Sequence, residues 1–200
     1  MTAALGRVAA TAIMSLALLA GDALGETYAI DAVHSSVGFG IRHIFSRTTG
    51  VFTEFAGEIT YDPEDPGASS VTATIQVASI NTNNERRDGH LTSPDFFDAE
   101  KYPGITFRST EVKVDGDRLL VRGDLTIHGV TQSVVLPVEV LGVGDHPMRK
   151  APVAGFAAEL AVKRSSFGVN SWTDAAGVLG DDVAVSLNIE AVGPKKEAKE

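Results

Sequence analysis

The sequence predicts an all-β domain of eight antiparallel strands, broken once by a short helical excursion around residues 83–99. Three observations carry that expectation. Apolar and polar residues alternate with period 2 from Ser36 onward, so each run offers one face to an apolar interior and one to water. Turn residues punctuate the runs at short intervals. No stretch of about a dozen residues between runs keeps a helical period, which argues against the crossover helices that parallel sheets need.

The first run places Val37, Phe39 and Ile41 on one face, and the second places Val51, Phe55 and Ile59 opposite Glu54, Glu58 and Thr60. Val71, Ala73, Ile75 and Val77 make the third, and Ile105 and Phe107 the fourth. Leu119, Val121, Leu125 and Ile127 follow. The last three strands alternate through Val134, Leu136, Val138 and Val140, then Phe156, Ala158, Leu160 and Val162, then Val183, Val185, Leu187 and Ile189. VDGDR (114–118) holds an Asp-Gly pair, a strong hairpin signal because both residues tolerate positive φ. Gly129 marks a second tight turn in IHGVT (127–131), and DPEDPG (62–67) separates one strand from the next. Eight strands with one continuous apolar face close into a barrel or stack as a sandwich. Strand lengths of roughly 8 to 13 residues favour a tall barrel, whose interior has room for one ligand.

The long interruption reads NTNNERRDGHLTSPDFFD (81–98). Asn83 or Asn84 is placed to cap a helical turn through ERRD, with Gly89 as its left-handed stop. Ser93-Pro94 has the form of a second helix start, with Asp95 favouring the positive end. Phe96 and Phe97 then project from the closing segment, suited to plug a barrel end.

Arg87, Asp88, His90, Asp95 and Asp98 crowd this stretch, and their chemistry has several readings. A metal centre is disfavoured, because His90 is the one imidazole, the carboxylates fall at irregular offsets, and no His-x-x-x-His pair occurs. His34 and His43 join it only if the fold brings them there. A hydrolase lacks its nucleophile signature: Ser93 precedes proline as a cap would, and no Gly-x-Ser-x-Gly is present. The remaining readings are hydrogen bonds that fix a loop of about 20 residues and contacts to a ligand's head. Arg86 next door is expected to be solvated.

The chain begins with Arg7, an apolar run from Val8 to Ala20, and small residues Ala23 and Gly25 at the −3 and −1 positions of a cleavage site. This predicts a secretory signal peptide over residues 1–25, cut before Glu26. Its apolar run is too short to span a bilayer, which takes about 20 residues, and no later stretch approaches that. The domain is expected over 26–192, with 193–200 as a charged, flexible tail. Cysteine is absent, so neither a disulfide nor a lipidated cysteine is available and the domain depends on its core. The lack of a twin-arginine pair points to the general secretory route, and a bacterial periplasm is the expected compartment. A net charge of −9 without a basic stripe argues against nucleic acid as a partner.

DAVHSSVGFGIRH (31–43), GVFTEFAGEITYDP (50–63), SSVTATIQVASINT (69–82), RDGHLTSPDFFD (87–98), YPGITFRST (102–110), GDLTIHGVTQSVVLPV (123–138) and SSFGV (165–169) occur in that order. In combination they resemble the YceI-like family, across nearly the whole mature chain. Ala32 stands where that family usually has proline, and Trp172 comes later than its usual tryptophan. The resemblance implies a lipocalin-like eight-stranded barrel that binds a long apolar chain without catalysis or cofactor. The implied partners are a polyprenyl phosphate, a quinone tail or a fatty-acid amide. On that reading Phe39, Phe55, Val77, Phe107, Val121, Leu125, Leu136, Phe156, Leu160 and Leu187 line the lumen rather than a packed core. Arg42, His43, Arg87 and His90, with Phe96 and Phe97, stand at its mouth, where arginine suits a phosphate oxygen. A lipid-modifying enzyme using residues 87–98 and a filled, ligand-free interaction module are the alternatives. A dimer is compatible with all three.

Overall fold

The computed structural model describes residues 25–172 and 177–195, and its strands form one closed antiparallel sheet. The predicted signal segment through residue 24 and the last five residues lie outside the described part. Eleven hydrogen-bonded segments build the sheet: β1 (Glu26–Ile30), β2 (Ser36–His43), β3 (Ser46–Phe52), β4 (Phe55–Tyr61), β5 (Ser70–Gln76), β6 (Ile80–Asn81), β7 (Gly104–Asp115), β8 (Arg118–Ile127), β9 (Val130–Asp145), β10 (Pro152–Lys163) and β11 (Leu179–Val192). They make eight barrel strands, because three strands are interrupted. β1 and β2 lie end to end along β11. β4 and β3 lie end to end along them in turn, and β6 extends β5 to meet β3. The result is an up-and-down meander closed where Ala29 and Ile30 meet Val192 and Ala191. Closure gives every barrel strand a neighbour on both sides over part of its length, although 46–50 of β3, 109–115 of β7 and 159–163 of β10 pair on one side only.

Two sequence expectations about the strands change. Glu26–Ile30 is a strand that its five residues are too few to reveal by alternation, yet its Tyr28 is among the most buried side chains. The run 51–59 is two strands, because Thr53 leaves the sheet and bonds Ser79 O through both its amide (3.1 Å) and its hydroxyl (3.2 Å). The turns follow expectation: Gly116 has φ 64°, and His128 and Gly129 have φ 52° and 74°, the left-handed pair a tight hairpin demands.

Apolar side chains gather in two clusters. Tyr28, Tyr61, Leu119, Val121, Leu136 and Phe156 form one, towards the end where β4 and β11 finish, with Tyr61 edge-on to Phe156 at 5.5 Å. Val37, Phe52, Val77, Ile80 and Ile105 form the other, towards the opposite end, where Leu91 and Phe97 of the helical excursion pack on them. The excursion is a single helix, α1 (Glu85–Thr92), capped by Asn84, whose side chain accepts from Arg87 N at 3.0 Å. Gly89 is not its stop but an interior residue, and Ser93 closes the helix by donating its N–H to His90 O. Ser93-Pro94 then starts a turn rather than a helix, because Phe96 N and Asp98 N both bond Ser93 O.

The barrel wall is fitted at Gly123, where a Cβ would strike the Phe107 ring and Arg108 O across the β7–β8 ladder. Gly123→Ala is expected to destabilise the domain by about 1–3 kcal/mol in urea denaturation. At Gly142, where nothing lies within 4 Å, the same change is expected to stay within about 0.5 kcal/mol.

Candidate functional site

The inward faces surround a cavity of about 900 Å³. Phe39, Phe55, Phe107, Val121, Leu125, Leu136, Phe156, Leu160 and Leu187 all line it. Val77 does not. Strand β5 ends at Gln76, and a 3-10 turn over Val77–Ser79 takes Val77 out of the alternating register into the packed cluster, its amide bonded to Pro103 O at 2.9 Å. The cavity spans both clusters, from Tyr61 and Phe156 at one end to α1 at the other.

Charged groups on the wall collect at the α1 end, and Tyr61, Ser69 and Ser70 bring hydroxyls to the other. The ionisable lining there is Arg86, Arg87, Arg164, His43 and His90, and among the described residues no carboxylate lines the cavity. That exclusion is selective in a chain with 26 acidic residues. Arg86 is exposed, as expected, and also borders the cavity. Arg42 is not: its guanidinium donates to Gly177 O (2.9 Å) and Ile44 O (3.3 Å), tying the β2 end to the loop before β11.

Arg87 and Asp88 both address Thr82. Arg87 Nε donates to Thr82 Oγ1 and Nη2 to Thr82 O, each at 2.7 Å. Asp88 accepts from the Thr82 amide at 2.9 Å and from its hydroxyl. This buried threonine thus anchors α1 across the barrel end, while Arg87 still reaches the wall. His90 Nε2 lies 3.1 Å from Asp95, and its ring stands edge-on to Phe96 (5.0 Å) and Trp172 (6.0 Å). The Ser93 hydroxyl donates to His90 O. Ser171 Oγ bonds Asp95 O, so the 169–172 loop and the α1 segment close over the mouth together.

Arg164 was not singled out by sequence reasoning. Its guanidinium donates to Gly180 O, Val169 O and Ser171 O, each at 2.8 Å, holding the loop that carries Trp172. It is 7% exposed, and burial lowers its pKa against the opposing pull of Asp181. Its Nη2 has no hydrogen-bond partner among the described residues. The available signal was only an arginine directly after an alternating strand.

Asp31, His34 and Glu190 form a second polar cluster, with ligand atoms within 4.8 Å of one another. Arg149 Nη1 lies 2.9 Å from the same Asp31 oxygen that faces His34 at 3.1 Å. The cation of this cluster is therefore a side chain, and the cluster ties the β9–β10 loop to the β1–β2 corner.

A family model described as the YceI-like domain matches residues 28–191. The chain belongs to the YceI-like family. It is 41% identical over 184 residues to Protein YceI of Escherichia coli O157:H7, covering 90% of this chain and 94% of that one. The crystal structure of Burkholderia cenocepacia BcnA superposes with TM-score 0.75 at 29% identity, over 81% of this chain and 99% of that one. A domain from Saccharophagus degradans, described as polyisoprenoid binding, superposes with TM-score 0.63 at 19% identity, over 84% and 98%. The last likeness is one of fold. Among the described residues, no helix is long and apolar enough to cross a membrane.

Two outcomes test the site's anchors. Thr82→Val removes the hydroxyl that Arg87 Nε and Asp88 share and keeps the two backbone bonds, and a loss of about 1–3 kcal/mol in stability is expected by thermal or urea melting. Hydrogen bonds from His34 and then Arg149 hold the Asp31 carboxyl down to about 2, below its unfolded value of about 3.9. Its contribution is complete above about pH 5 and fades between about pH 5 and pH 1. Acid titration of stability should therefore show a shallower slope in Asp31→Asn than in the parent protein.

Proposed function

We propose that this protein binds one long-chain lipid in the barrel, as a carrier or store rather than an enzyme, in a periplasm. The observation that carries the reading is the cavity wall: apolar over most of its length, with arginine and histidine at one end and, among the described residues, no carboxylate. Left dry, about 900 Å³ of cavity costs on the order of 20 kcal/mol on the scale of ~24 cal/mol per Å³. That exceeds the whole net stability of an ordinary domain, about 5–15 kcal/mol. Water filling the same space meets few polar partners along the wall. An apolar chain meets none of these costs.

The size supports a long chain. If each methylene takes about the ~30 Å³ of a liquid water, the cavity holds on the order of 30 carbons. At about 0.3 kcal/mol per atom, such a chain gains ~9 kcal/mol, near micromolar affinity before its head contributes. The head belongs at the α1 end, where Arg86, Arg87, Arg164, His43 and His90 suit a phosphate or carbonyl oxygen. A polyisoprenoid of this kind agrees with family membership and with the description of the S. degradans domain.

Titrating lipid-stripped protein with isoprenyl phosphates of increasing length is the test. Affinity is expected to rise about hundredfold for each ten added carbons until the lumen fills near ~30 carbons, then level off. Affinity independent of chain length contradicts the reading.

A further inference from the structure

The hairpin joining β2 to β3 carries three local costs that its own contacts do not repay. Its two-residue turn is Ile44-Phe45, where Asn-Gly or Gly-led pairs are the favourable sequences. Ile44 has φ 51°, a left-handed conformation in which a β-branched residue is a genuine outlier. Phe45 is 101% exposed, so a full aromatic ring stands in solvent. Behind the turn, Arg42 and Arg47 are directly opposed across the strands, a like-charge pair that disfavours the hairpin. Within the turn, Ile44 N bonds Val178 O at 2.8 Å, and Arg42 bonds the two carbonyls described above. Among the described residues, the Phe45 ring and the second arginine receive nothing comparable.

Position gives these costs a common explanation. The hairpin tip stands at the α1 end of the barrel, beside His43, Trp172 and Leu179, which line the cavity mouth. Residues 36–52 contain Arg42, His43 and Arg47 and no acidic residue, in a chain of net charge −9. Trp172, the sole tryptophan, is 52% exposed at the same mouth. Exposed Phe and Trp flanked by arginine is the composition that settles at the headgroup boundary of an anionic bilayer. There the ring leaves water, and the opposed arginines gain counter-charge. The exposed acids that share this end, Glu85 and Asp95, belong to the α1 segment, so the basic hairpin tip is the part of the rim that an anionic surface attracts.

We propose that the Ile44-Phe45 tip, with Arg42, Arg47 and Trp172, docks the cavity mouth onto an anionic lipid bilayer. The lumen then opens against the membrane from which a lipid is taken or to which it is delivered. This docking goes beyond the lumen-binding reading and is measured without it.

The experiment is flotation of the full mature chain with phosphatidylglycerol–phosphatidylethanolamine vesicles, with phosphatidylcholine vesicles in parallel. Wild type is expected to float with the anionic vesicles, with Trp172 quenched by bromine on the lipid acyl chains. I44N/F45G installs a favourable turn while removing both apolar side chains, and is expected to keep its fold and lose vesicle partitioning by roughly tenfold or more. R42Q/R47Q is expected to lose binding to anionic vesicles specifically. V33S/M148S removes two exposed apolar residues remote from the mouth and should change nothing. The proposal is overturned if wild type fails to float, if I44N/F45G floats like wild type, or if V33S/M148S loses as much. A vesicle-free lipid titration separates the two readings: flotation without lipid binding sinks the lumen reading alone, and lipid binding without flotation sinks the docking alone.

Discussion

Closing eight strands into a ring leaves an interior that this chain's side chains do not fill. That unfilled apolar volume of about 900 Å³ is the constraint on which the other features depend. A packed core would have needed larger residues where Ala73 and Ala158 face inward. The chain instead keeps small residues on the wall and confines dense packing to two end clusters, Tyr28, Tyr61 and Phe156 at one and Phe52, Val77 and Ile105 at the other. Stability then rests on closure of the sheet and on the ends, and the middle is left to a guest.

The two ends differ in how they are held. The aromatic end is shut by side chains on the strands themselves, Tyr61 against Phe156. The α1 end is shut by segments that are not strands, held through a few polar anchors: Thr82 for α1, and Arg164 for the 169–172 loop. Leu91 and Phe97 pack beneath the α1 segment, but neither segment joins the sheet ladder, and local opening is expected where backbone bonds to the sheet are sparse. On the proposed reading a guest would pass at the α1 end, the same end that gathers the cationic wall and the Ile44-Phe45 tip.

Much of this architecture was legible in the residues. Period-2 alternation located the strands, and Asp-Gly and His-Gly located two hairpins, because strand register and turn φ are local demands that sequence must meet. Where a local rule was interrupted by tertiary structure, legibility stopped. Val77 continues the alternation of β5 on paper, but a 3-10 turn carries it away from the lumen. Thr53 looks like the middle of one strand, and its bonds to a distant carbonyl split that strand in two. The ordering of Arg86 and Arg87 towards the wall depends on the rotation of an eight-residue helix whose sequence has no apolar stripe to fix it. Arg164 is invisible for a related reason: its partners are backbone carbonyls, which carry no side-chain signature.

Family membership places the fold among YceI-like domains, and the wall of this particular lumen supplies the argument for what it holds. Native mass spectrometry of the protein isolated from a periplasm tests that most directly. One lipid of defined mass, in the range of about 30 carbons plus a polar head, bound per chain and released on unfolding, is the predicted result. A protein that carries none, and takes up none when challenged with polyprenyl phosphates, quinones or fatty-acid amides, would contradict the account.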